Sequence, residues 1–216
     1  MAHGSAANAY LGATMPELLT QLPVLVAVAA VGYLLGSIPF GIVMARLFGL
    51  GDLRQIGSGN IGATNVLRTG NKPAALLTLL GDAGKGAAAV LIARALFADD
   101  AAQIAGFAAF LGHCFPIFLG FNGGKGVATW LGTMLALAWP VGLTACITWL
   151  VVALLFRVSS LAALAAAALS PIWAMLLGFP SYVVLSIALA LLIFLRHRAN
   201  IERLIAGDEP RIGGKK

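Results

Sequence analysis

The sequence has little charge for its length. Only 10% of its 216 residues are Asp, Glu, Lys or Arg, whereas 60% are apolar. Soluble domains carry about a quarter charged residues, so this composition excludes an ordinary soluble domain and is typical of a multispanning membrane protein. Hydrophobic segments take up nearly the whole chain, which predicts a single membrane domain over residues 1–216.

Cysteine is also scarce, and its spacing excludes the common metal and haem motifs. Cys114 and Cys146 both fall in apolar segments, and neither belongs to a C-x-x-C or Cys/His pattern. We interpret them as small buried hydrophobic residues, and we expect no metal and no cofactor. Residues 1–17 contain no Lys or Arg, and no clear cleavage site follows, so the first apolar run is expected to be a retained span.

The apolar stretches predict the number of membrane crossings. They cover residues 18–45, 73–98, 101–121, 127–156, 160–177 and 180–196. The fourth is too long for one span of about 20 residues, and Pro140 interrupts it. Because basic residues collect on the cytoplasmic side, two crossings hinged near Trp139 and Pro140 are needed to keep Arg157 and the basic tail there. We therefore predict an all-α integral membrane protein with about seven transmembrane helices, some short or tilted.

The same charge rule assigns sides to the connecting segments. Residues 1–17 are expected outside, whereas residues 46–72, residues 121–126 and the tail 197–216 are expected in the cytoplasm. The net charge of +6 comes from 14 Lys and Arg against eight acidic residues. A basic excess is compatible with nucleic acid, anionic lipid or a phosphorylated substrate, and the membrane setting disfavours nucleic acid as a partner.

A glycine-rich segment, IGSGNIGATN, lies in the first cytoplasmic loop. Its G-x-G-x-x-G spacing, with Asp82 twenty residues further on, matches the dinucleotide-binding fingerprint. That fingerprint requires a preceding strand, whereas here membrane helices flank the loop and Asp82 is expected at the start of one of them. The glycines could still expose backbone N–H groups to a phosphate, with further donors from Ser58, Gly59, Asn60, Thr64 and Asn65. A tight loop facing anionic lipid is the alternative.

Other polar residues are expected at the same membrane face. His113 lies in an apolar run and needs a partner or a function, and Lys125 follows it across a turn that contains Gly123 and Gly124. Ser37 and Arg46 bracket the end of the first span, where a hydroxyl and a guanidinium could bind a phosphorylated substrate. Asn200 follows the last span among arginines at 196, 198 and 203, which we interpret as a solvated basic end.

These segments together resemble the bacterial membrane glycerol-3-phosphate acyltransferases that use acyl-phosphate as the acyl donor. The resemblance rests on GSIPFG, GSGNIGATNVLRTGNK, GDAGKG, GHCFPIFLGFNGGKGVAT and RHRANIERL, which occur in the family's order across most of the chain. Asn122 is a departure, because many members have Lys there. The H-x-x-x-x-D motif of the other acyltransferases is absent, since Phe118 and Glu202 follow His113 and His197 at that spacing.

The resemblance implies acyl transfer from acyl-phosphate to glycerol 3-phosphate at the cytoplasmic face of the bacterial inner membrane, giving lysophosphatidate and phosphate. The expected catalytic residues are His113, Ser37 and Asn200. His113 would accept the hydroxyl proton or donate a hydrogen bond, and a substrate phosphate could itself be the base. The expected phosphate-binding residues are Arg46, Lys125, Ser58, Gly59, Asn60, Thr64, Asn65, Gly123 and Gly124. A phosphate-ester transporter is the main rival, although it would place its site at the membrane midplane.

Overall fold

The computed structural model describes residues 14–213 of the chain. Residues 1–13 of the predicted external segment and residues 214–216 of the predicted tail lie outside that range. Between residues 14 and 213 the chain forms α-helices and short 3-10 turns, with no β-strand. The helices are α1 (Leu22–Gly36), α2 (Phe40–Leu47), α3 (Ala63–Leu67), α4 (Lys72–Leu96), α5 (Asp99–Cys114), α6 (Val127–Leu137), α7 (Trp139–Phe156), α8 (Ser159–Leu176), α9 (Val183–Arg196) and α10 (Arg198–Ala206). The predicted all-α fold is confirmed.

Local sequence signals set several helix starts. The side chain of Asn71 caps α4 by accepting a hydrogen bond from the backbone N–H of Ala74 at 2.9 Å. Proline lies in the first turn of α1, α4 and α7, where its missing N–H costs nothing. The predicted break in the fourth apolar stretch is confirmed, because α6 ends at Leu137 and α7 begins at Trp139.

Five helical segments within residues 14–213 are long and apolar enough to cross a membrane. A sixth forms if the segments Pro180–Arg196 and Arg198–Ala206, bent by 63°, count as one span. Helix α6 has 11 residues and is therefore only about 16 Å long, shorter than the roughly 30 Å hydrocarbon core. The integral membrane architecture thus follows from the helices, whereas seven full crossings and the sides of the termini stay a prediction.

Small residues let the helices approach closely. Gly36 of α1 lies against Ala109 of α5, and a Cβ at Gly36 would come within 2.0 Å of the Ala109 carbonyl oxygen. Gly132 of α6 lies equally close to Ala83 of α4. In a bilayer such contacts supply much of the helix association, because lipid tails are as apolar as the side chains they replace.

The ends of four helices meet around Arg94. Its guanidinium donates to the carbonyls of Ala136 and Leu137, to the carboxylate of Asp99 and to the hydroxyl of Tyr182. These partners belong to the end of α6, the start of α5 and the turn before α9. Lys125 lies just before the start of α6, whereas Arg94 contacts the end of that helix. The length of α6 therefore separates Lys125 from the Arg94 cluster.

Candidate active site

The central cavity has a volume of about 760 Å³ and is lined by residues of α4, α6, α7, α8 and the polar loops at their ends. One part of its wall is polar and cationic, with side chains from Ser58, Asn60, Thr64, Asn65, Arg68, Lys72, His113, Lys125, His197, Asn200 and Glu209. Another part is apolar and includes Leu76, Leu79, Leu80, Leu131, Leu135 and Trp149. The cavity therefore places a cationic, polar region next to an apolar surface.

Lys125, Asn200 and Glu209 form a continuous chain of hydrogen bonds along this cavity. The Lys125 ammonium donates to the side-chain oxygen of Asn200, and the Asn200 amide nitrogen donates to Glu209. Ser160 and Arg203 also donate to Glu209, each at 2.7 Å. Asn200 thus uses both ends of its amide and fixes the position of the Lys125 ammonium. Asn200 is only 3% exposed, so these hydrogen bonds are shielded from water.

Burial and neighbouring charges set the protonation of this chain. Burial lowers the pKa of Lys125 to about 8, and Arg203, Arg196 and Arg68 add to the lowering, whereas Glu209 opposes it. Burial raises the pKa of Glu209, but hydrogen bonds from Ser160, Asn200 and Arg203 outweigh that effect and lower it overall. Near neutral pH the cavity therefore holds an ionised carboxylate and a lysine that remains mostly cationic.

His113 lies in a buried cluster with two residues of α4. Its Nδ1 is 3.4 Å from Asp82 Oδ1, and Lys85 Nζ is 2.9 Å from the same oxygen. Lys85 also donates to the carbonyl oxygen of Ile38 at 2.8 Å. The expectation that Asp82 begins a membrane helix is wrong, because Asp82 lies in the interior of α4. This interior position is what brings its carboxylate to His113.

Gly123 and Gly124 hold the turn against α5. Their backbone N–H groups donate to the carbonyls of Cys114 and His113, and their own carbonyls accept from Arg196. Neither glycine lines the central cavity. The expectation that their N–H groups bind phosphate therefore finds no support in the geometry. Arg196, interpreted from the sequence as part of a solvated basic end, instead fixes this turn and lies over the ring of Phe115 at 5.0 Å.

Of the other two arginines of this basic end, Arg203 departs from the sequence interpretation and Arg198 agrees with it. Arg203 pairs with Glu209 at 2.7 Å, so it is a structural partner of the cavity wall. Arg198 fits the expectation, because its side chain is 87% exposed. The segment after the last predicted span is thus a folded helix that closes one side of the cavity rather than a solvated end.

The glycine-rich loop is organised by Asn65. Its Oδ1 accepts from the backbone N–H of Ser58 at 3.1 Å, and its Nδ2 donates to the carbonyl of Leu53 at 2.8 Å. Gly59 has a positive φ of 69° and its N–H closes a turn onto Ile56. Ser58 and Asn65 therefore already have partners in the loop, while the side chains of Asn60 and Thr64 line the cavity. Gly59 does not line it.

Ser37 and Arg46 lie away from the central cavity. Ser37 is fully buried, and its hydroxyl donates to the carbonyl of Tyr33 at 2.8 Å. Arg46 is exposed and lines a second cavity of about 540 Å³ together with Arg54. The structure therefore brings His113, Lys125, Asn200 and the loop residues 58, 60, 64 and 65 together, and it leaves Ser37, Arg46, Gly59, Gly123 and Gly124 outside this group.

The polar residues of the cavity wall that were not among the sequence candidates include Asp82, His197 and Glu209. A signal existed for Asp82, because a carboxylate three residues before a lysine inside an apolar helix needs a partner or a function. His197 is buried and its Nδ1 lies 2.8 Å from the Ile193 carbonyl oxygen. Glu209 follows the last helix in a polar segment, where nothing in the local pattern marks it as buried against Asn200.

The site and the helices define an integral membrane protein with an amphipathic cavity suited to a phosphorylated, lipid-like ligand. Residues 26–207 match the family model for glycerol-3-phosphate acyltransferase. The chain is 69% identical to the glycerol-3-phosphate acyltransferase of Jannaschia sp. (strain CCS1), over 92% of this chain and 98% of that protein. It is 63% identical to that of Dinoroseobacter shibae, over 94% of this chain and 100% of that protein.

Solved structures agree with the sequence relatives. The crystal structure of PlsY, an integral membrane glycerol 3-phosphate acyltransferase, in its glycerol 3-phosphate form is 42% identical with a TM-score of 0.82. The match covers 88% of this chain and 96% of that chain. A lysophosphatidic acid form of the same enzyme has a TM-score of 0.81. The chain belongs to the glycerol-3-phosphate acyltransferase family.

Proposed function

We propose that this acyltransferase moves a fatty acyl group from acyl-phosphate to glycerol 3-phosphate and forms 1-acylglycerol 3-phosphate and inorganic phosphate. The observation that carries the proposal is the central cavity, in which Lys125 and Arg68 lie beside an apolar wall. An acyl-phosphate has its phosphate joined directly to the hydrocarbon chain, so a cationic region adjoining an apolar surface matches it. The lysophosphatidic acid form of the PlsY crystal structure supports the corresponding product.

The cationic region would bind the phosphates of both substrates. Lys125 is fixed by Asn200, and Arg68 and Lys72 line the same cavity. Charge-assisted hydrogen bonds to phosphate are about twice as strong as neutral ones, which favours binding in this partly desolvated region. Arg46, which lines the second cavity, remains a candidate to bind the phosphate of one substrate. Ser37, at the end of α1, remains a candidate to orient the acceptor.

The transfer itself needs little beyond alignment and charge stabilisation, because acyl-phosphate is already activated. The glycerol hydroxyl attacks the acyl carbon, a new C–O ester bond forms, and the bond between the acyl carbon and the phosphate oxygen breaks. The phosphate leaves with that electron pair and ends with the hydroxyl proton. His113 lines the cavity and would hydrogen-bond the hydroxyl, and Asn200 would help to orient the acceptor through the Lys125 ammonium that it holds. The acyl group passes directly between substrates.

We also infer that the protein resides in the bacterial inner membrane with this site facing the cytoplasm. Arg46, Arg54, Arg68, Lys72 and Lys125 lie in the segments at one end of the helices, whereas Asp99 and Asp100 begin α5 at the other end. Positively charged loops remain on the cytoplasmic side during insertion, which supports this orientation.

The test compares two acyl donors with purified protein in detergent. Glycerol 3-phosphate is supplied with palmitoyl-phosphate or with palmitoyl-CoA, and lysophosphatidate and inorganic phosphate are measured. We expect both products in equal amounts from palmitoyl-phosphate, and none when glycerol 3-phosphate is omitted. Lysophosphatidate formed only from palmitoyl-CoA would contradict the proposed donor, while phosphate release without lysophosphatidate would contradict direct transfer.

A further inference from the structure

The ion pair of Asp82 and Lys85 lies directly beside the imidazole of His113. All three side chains are buried, with exposures of 2%, 3% and 5% for Asp82, Lys85 and His113. Lys85 Nζ lies 2.9 Å from Asp82 Oδ1 and donates to the Ile38 carbonyl, so the ammonium is held from two sides. The carboxylate is thereby fixed in place on α4, next to a ring carried by α5.

The charges of this cluster determine which nitrogen of His113 carries the proton. One carboxylate and one ammonium already balance, so a neutral imidazole leaves the buried cluster without net charge, which avoids a large desolvation cost. Nδ1 faces the carboxylate at 3.4 Å. Nδ1 is fully buried and makes no hydrogen bond of ordinary geometry within residues 14–213, so this carboxylate is the acceptor next to it. A bare Nδ1 would point its lone pair at a carboxylate, so the proton belongs on Nδ1.

The other ring nitrogen lies close to the backbone of Gly124. A Cβ at Gly124 would come within 2.2 Å of His113 Nε2, closer than real atoms approach. Any side chain at Gly124 would therefore cover Nε2 or displace the ring. His113 lines the central cavity and its Nδ1 faces Asp82, so Nε2 is the nitrogen left to meet a substrate.

We propose that Asp82 is a positioning residue for His113: its carboxylate holds the proton on Nδ1, so that Nε2 accepts a hydrogen bond from the hydroxyl of glycerol 3-phosphate. The proposal rests on the function proposed above, because it assigns the acceptor hydroxyl to Nε2. Lys85 keeps the carboxylate aimed at Nδ1. A carboxylate that orients an imidazole in this way selects the tautomer and supports any positive charge that develops on the ring.

The tautomer can be measured without any enzymatic activity. The chain has three histidines, and ¹⁵N NMR of histidine-labelled protein in detergent at pH 7, with His113→Gln to assign the signals, reports both ring nitrogens. We expect His113 to be neutral, with the proton on Nδ1 and Nε2 bare. In Asp82→Asn this preference should be lost. A proton on Nε2, or on both nitrogens, in the unmodified protein would overturn the proposal.

Kinetics provide a second test in a three-variant cycle of Asp82→Asn, His113→Gln and the double variant. We expect Asp82→Asn to lower kcat by at least about tenfold while KM for glycerol 3-phosphate changes by less than about twofold. The double variant should be no slower than His113→Gln, because residues that act through each other lose activity non-additively. Multiplicative losses in the double variant would contradict the proposal. Asp99→Asn, which removes a carboxylate at the other end of the helices, should leave kcat unchanged.

The two tests separate this inference from the proposed function. If the unmodified protein has the Nδ1 proton but makes no lysophosphatidate from palmitoyl-phosphate, the donor assignment fails and the positioning of His113 by Asp82 stands. If the protein is active with palmitoyl-phosphate but carries the proton on Nε2, the positioning role fails and the donor assignment stands.

Discussion

The ammonium of Lys125 donates a hydrogen bond to the side-chain oxygen of Asn200, although 75 residues separate them. This contact joins the turn between α5 and α6 to the last helix of the chain. Because Asn200 also donates to Glu209, it sets the position of the Lys125 ammonium relative to a carboxylate.

Replacing Asn200 by Ala should lower kcat/KM by roughly 10- to 100-fold. The reason is that Lys125 loses its acceptor, and a hydrogen bond to a charged group contributes about 1.5–3 kcal/mol. Steady-state kinetics with glycerol 3-phosphate measure this effect. Arg198→Ala is the matched control on the same helix, because the Arg198 side chain is 87% exposed, and its kinetics should equal those of the unmodified protein. Equal losses in both variants would argue against the role of Asn200.

The affinity for glycerol 3-phosphate should fall as the pH rises through about 8. Burial lowers the pKa of Lys125 to about 8, so the side chain is cationic below that pH and neutral above it. The phosphate of glycerol 3-phosphate is almost fully dianionic above pH 7, since its second pKa is about 6, so the substrate's charge hardly changes over this range. KM measured from pH 7 to 9.5 should therefore rise in the unmodified protein.

Lys125→Arg is the informative comparison for this pH dependence. A guanidinium stays charged in this range, so KM of the variant should remain flat between pH 7 and 9.5 even if its absolute value differs. The charges of Arg68, Arg196, Arg203 and Glu209 act on Lys125 and are present in both proteins. A rise in KM that is identical in Lys125→Arg would assign the titration to another group.

Substituting His113 by Gln should lower kcat by at least about 100-fold if the imidazole takes part in proton transfer. Gln keeps a polar side chain of similar length, so the helices should still pack and thermal unfolding in detergent should change little. Rates of lysophosphatidate formation at saturating substrates measure the effect. A decrease of less than about threefold would exclude a role as general base and leave the substrate phosphate as the base.

Gly132→Ala should destabilise the protein, whereas Gly84→Ala should not. A Cβ at Gly132 would lie 2.0 Å from the carbonyl oxygen of Ala83, so α4 and α6 would have to separate. A Cβ at Gly84 meets nothing within 4 Å. Overpacking of this kind costs about 1–3 kcal/mol, which thermal unfolding in detergent would record as a Tm lowered by several degrees. Equal Tm values for the two variants would contradict this account of the α4 and α6 contact.

The composition and the hydrophobic runs of the sequence were enough to predict the fold class. Apolar stretches of about 20 residues predict membrane-spanning helices, because in a bilayer every backbone N–H and C=O group must form its hydrogen bond within the segment. Pro140 predicted the break between α6 and α7, since a proline opens a helix but interrupts one in its interior. Neither signal depends on which helices become neighbours.

The motifs also indicated which segments carry the polar site. His113 and Lys125 are indicated by the sequence because an ionisable side chain at a membrane boundary needs a partner or a function, and Asn200 is indicated by the family resemblance. The structure places all three around one cavity. The glycine-rich loop was predicted to expose N–H groups to phosphate, whereas Asn65 already accepts from the Ser58 N–H. The Ser58 N–H is occupied because the loop folds back on itself, and the spacing of the glycines does not reveal that fold.

Only the tertiary structure decided the partners. Asp82 meets His113 because α4 and α5 pack together, and Glu209 reaches Asn200 because the chain after α10 turns back to the cavity. Asp82 is distant in sequence from His113. Glu209 is close in sequence to Asn200, but it lies in a segment with no local signal of burial. Sequence patterns describe each helix by its own periodicity, but the pairing of charges across helices depends on crossing distance and burial, which arise only when the helices pack.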